Sequence, residues 1–183
     1  MELTVDDAQR QFRVRRATMA DAARLSAVGA ALFTQTFASQ NTAENMQSYL
    51  ERAFDEDVQR RDLADASNLI WIAEGEDATP IGYAHLKLGS SPPTTDVARA
   101  AELARIYADR RWHGQGVGAE LLATCLDAAR AWGASVIWLG VWRENPRGIA
   151  FYQKHGFHIV GEQTFRLGSD LQHDWVMLRD LDQ

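Results

Sequence analysis

The chain has a single cysteine, Cys125, in 183 residues, so no disulfide can form within it. Cys125 shares helical spacing with Leu121, Leu122 and Ala129, which reads it as a core residue rather than a nucleophile. No apolar run approaches the roughly 20 residues that cross a bilayer. The opening MELTVDDAQRQF lacks the basic-then-apolar order of a secretory signal. Both absences lead us to expect a cytoplasmic protein with no membrane partner. His113, His155, His158 and His173 show no ligand spacing with carboxylates or with the cysteine, so no metal is expected. Positive charge is scarce as well: 19 Lys and Arg against 25 Asp and Glu leave a net charge of -6, and no basic stripe with interleaved aromatics stands out. Nucleic acid is therefore not an expected partner. At 46% hydrophobic and 24% charged, the chain can fill one core, and a single domain over 1–183 is expected, without repeat or linker.

What is present is organised around Glu102 to Trp132. This stretch reads as an extended segment, a tight turn Arg111-Trp112-His113-Gly114-Gln115-Gly116-Val117-Gly118, and an amphipathic helix. The first turn of a helix carries unpaired N–H donors and the positive end of the macrodipole, so an anion there is stabilised twice. Glycine lets the backbone approach a ligand closely. From Arg105 to His113, three arginines face only Asp109. The glycines alone are equally consistent with a sharp turn. A P-loop would require Lys followed by Ser or Thr where Ala119-Glu120 stands, and G-x-G-x-G spacing is not the dinucleotide fingerprint.

Around this unit the pattern gives a strand at Gln11 to Arg16 and a helix capped by Thr18. A break between Thr36 and Asn41 separates it from a second helix, and a weaker third helix covers Glu56 to Ala66. Leu69–Ala73 and Ile81–Leu88 form a hairpin, and Ser90–Thr95 a loop. Ser135–Trp142 is almost continuously apolar, as in a strand buried on both faces and parallel to its neighbour. A short helix with Pro146 in its first turn ends at Gly156, and Phe157–Phe165 with His173–Leu178 make a last strand pair. Strands on either side of one βαβ crossover indicate an α/β or α+β domain with a mixed sheet.

At these residues the chain resembles the GCN5-related N-acetyltransferase (GNAT) superfamily. Arg111-Trp112-His113-Gly114-Gln115-Gly116 satisfies its central motif of Arg or Gln, two residues, Gly, one residue, and Gly or Ala. Leu103–Ala108 before it stands in the family's order and spacing, as do Leu139–Asn145 and Ala150–Phe157 after it. The resemblance runs from about residue 68 to 178 and leans toward the bacterial spermine/spermidine branch. One departure is the absence of the proline often found between strand and turn, where Ala108-Asp109-Arg110-Arg111 stands.

The resemblance implies a GNAT fold, a mixed, mostly antiparallel sheet splayed at its central parallel strand pair with helices on both faces. It implies acetyl-coenzyme A as donor, a small-molecule amine such as a polyamine as acceptor, direct attack in a ternary complex, and room for a homodimer. The pyrophosphate would meet the N–H groups of Arg111, His113, Gly114, Gln115, Gly116, Val117, Gly118 and Ala119. The pantetheine arm would pair with Ile106, Tyr107 and Ala108 as an added strand, with Ile106 or Tyr107 N–H as the oxyanion donor. Asn145 matches a position that commonly contacts the cofactor, and Lys154 could meet a phosphate, although an exposed helix-end lysine is the blander reading. Tyr152 matches the family's acid, which protonates the departing thiolate. Glu102, acting through water, is the expected base, with a solvated strand-entrance residue as its bland reading; His85 is the reserve, more simply a structural residue. Two alternatives stay open: a protein or peptide N-acetyltransferase, and an acyl-coenzyme A binding module without catalysis.

Overall fold

Alternating apolar and charged residues make Phe12–Arg16 a strand (β1) that pairs antiparallel with Asn68–Gly75 (β2). The computed structural model describes residues 11–181; the reading of the first ten residues, and the last two residues of the expected domain, lie outside them. Thr18 and Asp21 form the expected helix start, the Asp21 carboxylate accepting from the Thr18 N–H at 2.8 Å and from its hydroxyl at 3.0 Å. A 3₁₀ turn over Met19–Asp21 intervenes before α1 (Ala22–Phe37). The expected break follows, and Thr42 caps α2 (Ala43–Ala53) by accepting from the Asn45 N–H. The weak third pattern is α3 (Glu56–Ala64).

The hairpin β2–β3 (Pro80–Leu88) leads through the loop to β4 (Ala100–Ala108), α4 (Val117–Trp132), β5 (Val136–Trp142), α5 (Pro146–Lys154), β6 (His158–Leu167) and β7 (Asp170–Asp180). Among the described residues the strands make one sheet in the order β1-β2-β3-β4-β5-β7-β6. The last two strands are longer than their sequence pattern, and the final one lies inside the sheet between β5 and β6.

Among the described strands only β4 and β5 pair in parallel, and their pairing stops after Ala100↔Val136, Ala101↔Ile137 and Glu102↔Trp138. The cause is visible on the other side of β4. His85 pairs with Arg105 while Leu86 pairs with Leu103, so Ala104 is an extra residue that bends β4 just past Glu102. Meanwhile β5 stays paired with β7 along its whole length. The two strands therefore open into a V with Glu102 at its vertex.

Each face of the sheet has its own core. On one, α4 seals Leu121, Leu122, Cys125 and Ala129 against Ala84, Leu86, Leu103 and Ile137; Cys125 is wholly buried, and burial pushes its thiol up to about 12. On the other, α1 and α2 bring Leu25, Phe33, Met46 and Phe54 onto Ile70, Ile72, Tyr83 and Leu167. The V connects these two sides.

Candidate active site

Through the V runs a continuous cleft of about 580 Å³. On the α4 side its wall is the glycine turn. Gly114 and Gly116 sit at φ +81° and +89°, in the left-handed region, and a Cβ added at either would meet nothing within 4 Å. The first bond of α4 runs from the Glu120 N–H to the Gly116 carbonyl at 2.9 Å, so the N–H groups of Val117, Gly118 and Ala119 precede the helical ladder and have no acceptor within it. All of these residues line the cleft, as do His113 and the β4 residues Ile106, Tyr107 and Ala108. On the far bank α5 contributes Asn145, Arg147, Tyr152 and Lys154.

The donor set is narrower than the sequence suggests. The Arg111 N–H is taken by Asp109 Oδ1 at 2.9 Å, its guanidinium binds the same carboxylate at 2.7 Å, and the His113 N–H is taken by the Arg110 carbonyl at 3.1 Å. Arg111 and Gln115 do not line the cleft; the Gln115 N–H reaches back to the Trp112 carbonyl at 3.3 Å. Asp109 is buried, and its pairing with Arg111 holds its carboxyl down at about 2, so the arginine of the motif braces the turn through a fixed ion pair. His113 acts similarly, its Nε2 lying 3.0 Å from the Ala108 carbonyl. Asn145 caps α5, its Oδ1 accepting from the Gly148 N–H at 3.0 Å.

Tyr152 packs edge-on against Phe151 and Phe157, while Phe151 and His155 turn their rings together. The Tyr152 hydroxyl makes no hydrogen bond with another described residue, and burial raises its pKa, so it holds its proton at neutral pH. Glu102 also lines the cleft, at the vertex, where its carboxylate accepts from the Ser90 hydroxyl at 2.7 Å. His85 is corrected. It is 2% exposed, its Nε2 lies 3.0 Å from Asn68 Oδ1, burial drives its pKa to about 3, and it does not reach the cleft. Buried between β2 and β4 under α1, it cannot exchange a proton with anything bound there.

The opposite half of the cleft, on the α1 and α2 side, draws on the two stretches the resemblance implies for an acceptor pocket, about Phe33 to Met46 and Glu162 to Asp174, within which the sequence singled out no side chain for a role. Phe33, Phe37, Tyr49, Trp142 and Phe165 form an aromatic wall. Into it come Arg105 from β4, Gln163 from β6 and Asp174 from β7. Asp174 is 7% exposed, and loss of water raises its pKa to about 6, against smaller opposing effects from Gln163 and His173. A Cβ added at Gly140 on β5 would stand 2.4 Å from Gln163 Nε2 and 3.3 Å from Asp174 Oδ2, so the absence of a side chain there makes room for both groups. The hairpin carrying them is tied to the helices: Gln172 Nε2 donates to Asn41 Oδ1 at 2.7 Å, and the Ser169 N–H donates to Asn45 Oδ1 at 2.9 Å. No sequence signal separates Asp174 from other acidic residues, because its character comes from strands distant in the chain.

The chain is similar to known proteins in sequence and in fold. The model of the acetyltransferase (GNAT) family matches residues 32–157. An uncharacterized N-acetyltransferase of Mycobacterium tuberculosis is 35% identical over 163 residues, covering 89% of this chain and 99% of that one. The chain belongs to the GNAT acetyltransferase family. The acetyltransferase is also 25% identical to a spermidine N(1)-acetyltransferase of Thermoplasma acidophilum over 81% of its own length and 89% of that protein's. In fold it is similar to the PaiA N-acetyltransferase of Thermoplasma acidophilum, solved in complex with coenzyme A, with a TM-score of 0.74, 21% identity, and coverage of 92% and 98% of the two chains. The acetyltransferase thus has the splayed mixed sheet its motif implied. Among the described residues no group of His, Cys, Asp and Glu comes together that could hold a metal ion, and no helix is long and apolar enough to cross a membrane.

Proposed function

We propose that the acetyltransferase moves an acetyl group from acetyl-coenzyme A to the primary amine of a small molecule. The observation that carries this reading is the single cleft that joins an anion-ready helix start, through the open V, to an aromatic pocket with a buried carboxyl. The cradle fits the donor. Val117, Gly118 and Ala119 offer N–H groups for a pyrophosphate, Arg147 and Lys154 add positive charge on the facing bank, and the unpaired edge of β4 past Glu102 can accept an amide-bearing chain as an extra strand. Acetyl-coenzyme A, when bound, supplies the activated acetyl group.

The remaining chemistry is proton handling by this chain. An alkylamine has a pKa of about 10, so only about one part in a thousand is neutral at pH 7 and a base is needed. Asp174 is suited to the role, since a carboxyl at about 6 is ionised at neutral pH and still accepts a proton readily. Glu102 is the second candidate, already engaged by Ser90. Tyr152 keeps its hydroxyl proton at neutral pH and can deliver it to a thiolate on the same bank of the cleft. Similarity to the spermidine N(1)-acetyltransferase puts polyamines in the acceptor panel.

The test follows free thiol release from acetyl-coenzyme A with alkylamines, polyamines, amino acids and an N-terminal peptide. Release with at least one small amine is expected; release only with the peptide, or with nothing, overturns the small-molecule reading. Comparing Asp174→Asn with Glu102→Gln assigns the base: the larger loss in kcat is expected at Asp174.

A further inference from the structure

Arg105 is a cation for which the described residues supply no ion-pair partner. It projects from β4 into the acceptor half of the cleft, beside Tyr49, Tyr83 and Tyr107, with the face of its guanidinium 4.8 Å from the centre of the Phe54 ring. Its Nη1 is buried without a hydrogen-bond partner, and so is the Tyr83 hydroxyl next to it. Among the described residues no carboxylate forms an ion pair with it, and Asp62 of α3 acts only at longer range. Arg179, also half-buried, donates to the His155 carbonyl, and three further arginines have carboxylate partners. Arg15 holds both Asp21 and Glu74, Arg143 pairs with Glu162, and Arg111 binds Asp109. A guanidinium does not shed its proton, so Arg105 keeps its charge in a site where an unmatched charge is costly. Phe54 satisfies one face by cation–π contact, which leaves the N–H edge for an acceptor.

The cleft thus carries two groups of opposite kind in its acceptor half: a fixed cation at Arg105 and a proton-accepting carboxyl at Asp174, with aromatic rings between the helices and the hairpin. We infer that the acceptor is an amine that also bears a carboxylate, an amino-acid-like molecule whose acid lies on Arg105 while its amine lies toward Asp174. The carboxylate provides the counter-charge that the described residues lack, in the fork geometry that a guanidinium binds best. The same cation disfavours a polycation such as spermidine. It also favours the neutral form of a nearby amine, the form that attacks. Phe33, Phe37 and Phe165 suit an apolar or aromatic body.

This inference rests on the small-amine reading above, and the experiment separates the two. Matched pairs are compared as acceptors and as ligands: L-phenylalanine with phenethylamine, and L-leucine with 3-methylbutylamine, with spermidine alongside. Turnover is followed by thiol release, and binding by calorimetry in the presence of coenzyme A. The carboxylated member of each pair is expected to show at least tenfold higher kcat/KM and tighter binding. Arg105→Gln should raise KM for the amino acid at least tenfold and leave that for the decarboxylated amine unchanged or lower, with Arg105→Lys partly restoring the preference. The melting temperature of each variant shows that it folds, and the comparison within the unaltered protein stands without them. Decarboxylated amines or spermidine turning over as well as the amino acids overturns the inference and leaves the small-amine reading intact. Arg105-dependent binding of amino acids without turnover supports the inference and removes that reading. No preference in either binding or turnover overturns it.

Discussion

Asp174, the base of the proposed reaction, is a side chain whose burial is costly to the fold. Its carboxyl pKa is raised to about 6 from an ordinary value near 4, so between those limits the folded state binds more protons than the unfolded state. Stability therefore falls as pH rises through that window. Asp174→Asn removes the effect. The variant should be at least as stable as the parent at pH 7.5 by thermal denaturation, while kcat drops by about 10²-fold or more. Its log kcat/KM profile should also lose the bend near pH 6 that the parent shows where Asp174 ionises. Tyr152 makes the complementary case, since burial holds its proton in place and its hydroxyl has no hydrogen-bond partner among the described residues. Tyr152→Phe should lower kcat by roughly 10- to 100-fold with little change in coenzyme A affinity; an unaltered kcat would remove it as the proton donor.

At the scale of elements, the turn into α4 is a backbone device. Gly116 caps the helix from the left-handed region, and the space beside it is open. Gly116→Ala meets no clash but is strained at φ +89°, at about 1–2 kcal/mol. It also places a methyl where a phosphate would approach. We expect coenzyme A affinity to fall at least tenfold in calorimetry and the melting temperature to fall by a few degrees. The V has an equally local origin, the extra residue at Ala104, which frees the β4 edge where β5 leaves it. Motif, turn and helix were all legible in the sequence because glycine preference and helical periodicity are properties of neighbouring residues. The narrower donor set was not. That Asp109 captures the Arg111 N–H depends on how the chain bends, and the residue types alone allow either outcome.

Across the whole molecule, the edge strand β1 is held to the sheet by a buried cluster. Glu74, 1% exposed, receives Arg13, Arg15 and Arg24, and Arg15 also grips Asp21 at the entrance to α1. Both carboxyls are held below their ordinary range, first by hydrogen bonds from Arg15. Their contribution is complete above about pH 4.5, the unfolded range, and is lost as pH falls through the lowered folded values. The melting temperature should therefore decline steeply below about pH 4. Glu74→Gln, which leaves three cations facing a neutral amide, should cost more than 1 kcal/mol at pH 7 in denaturant unfolding and flatten that acid limb. This network ties the helical layer that walls the acceptor pocket to the sheet that carries the donor turn.

The sequence by itself determined the class of this protein. The turn from Arg111 to Gly118, its helix, and the Asn145 to Phe157 segment are contiguous patterns, and contiguous patterns survive without a structure. Only the tertiary structure decided which acid and which cation line the same cleft. It removed His85 by burying it beside Asn68, placed β7 between β5 and β6 so that Asp174 lies against Gly140, and left Arg105 without a counter-ion among the described residues. Burial and charge pairing set a side chain's chemistry, and both depend on elements far apart in the chain.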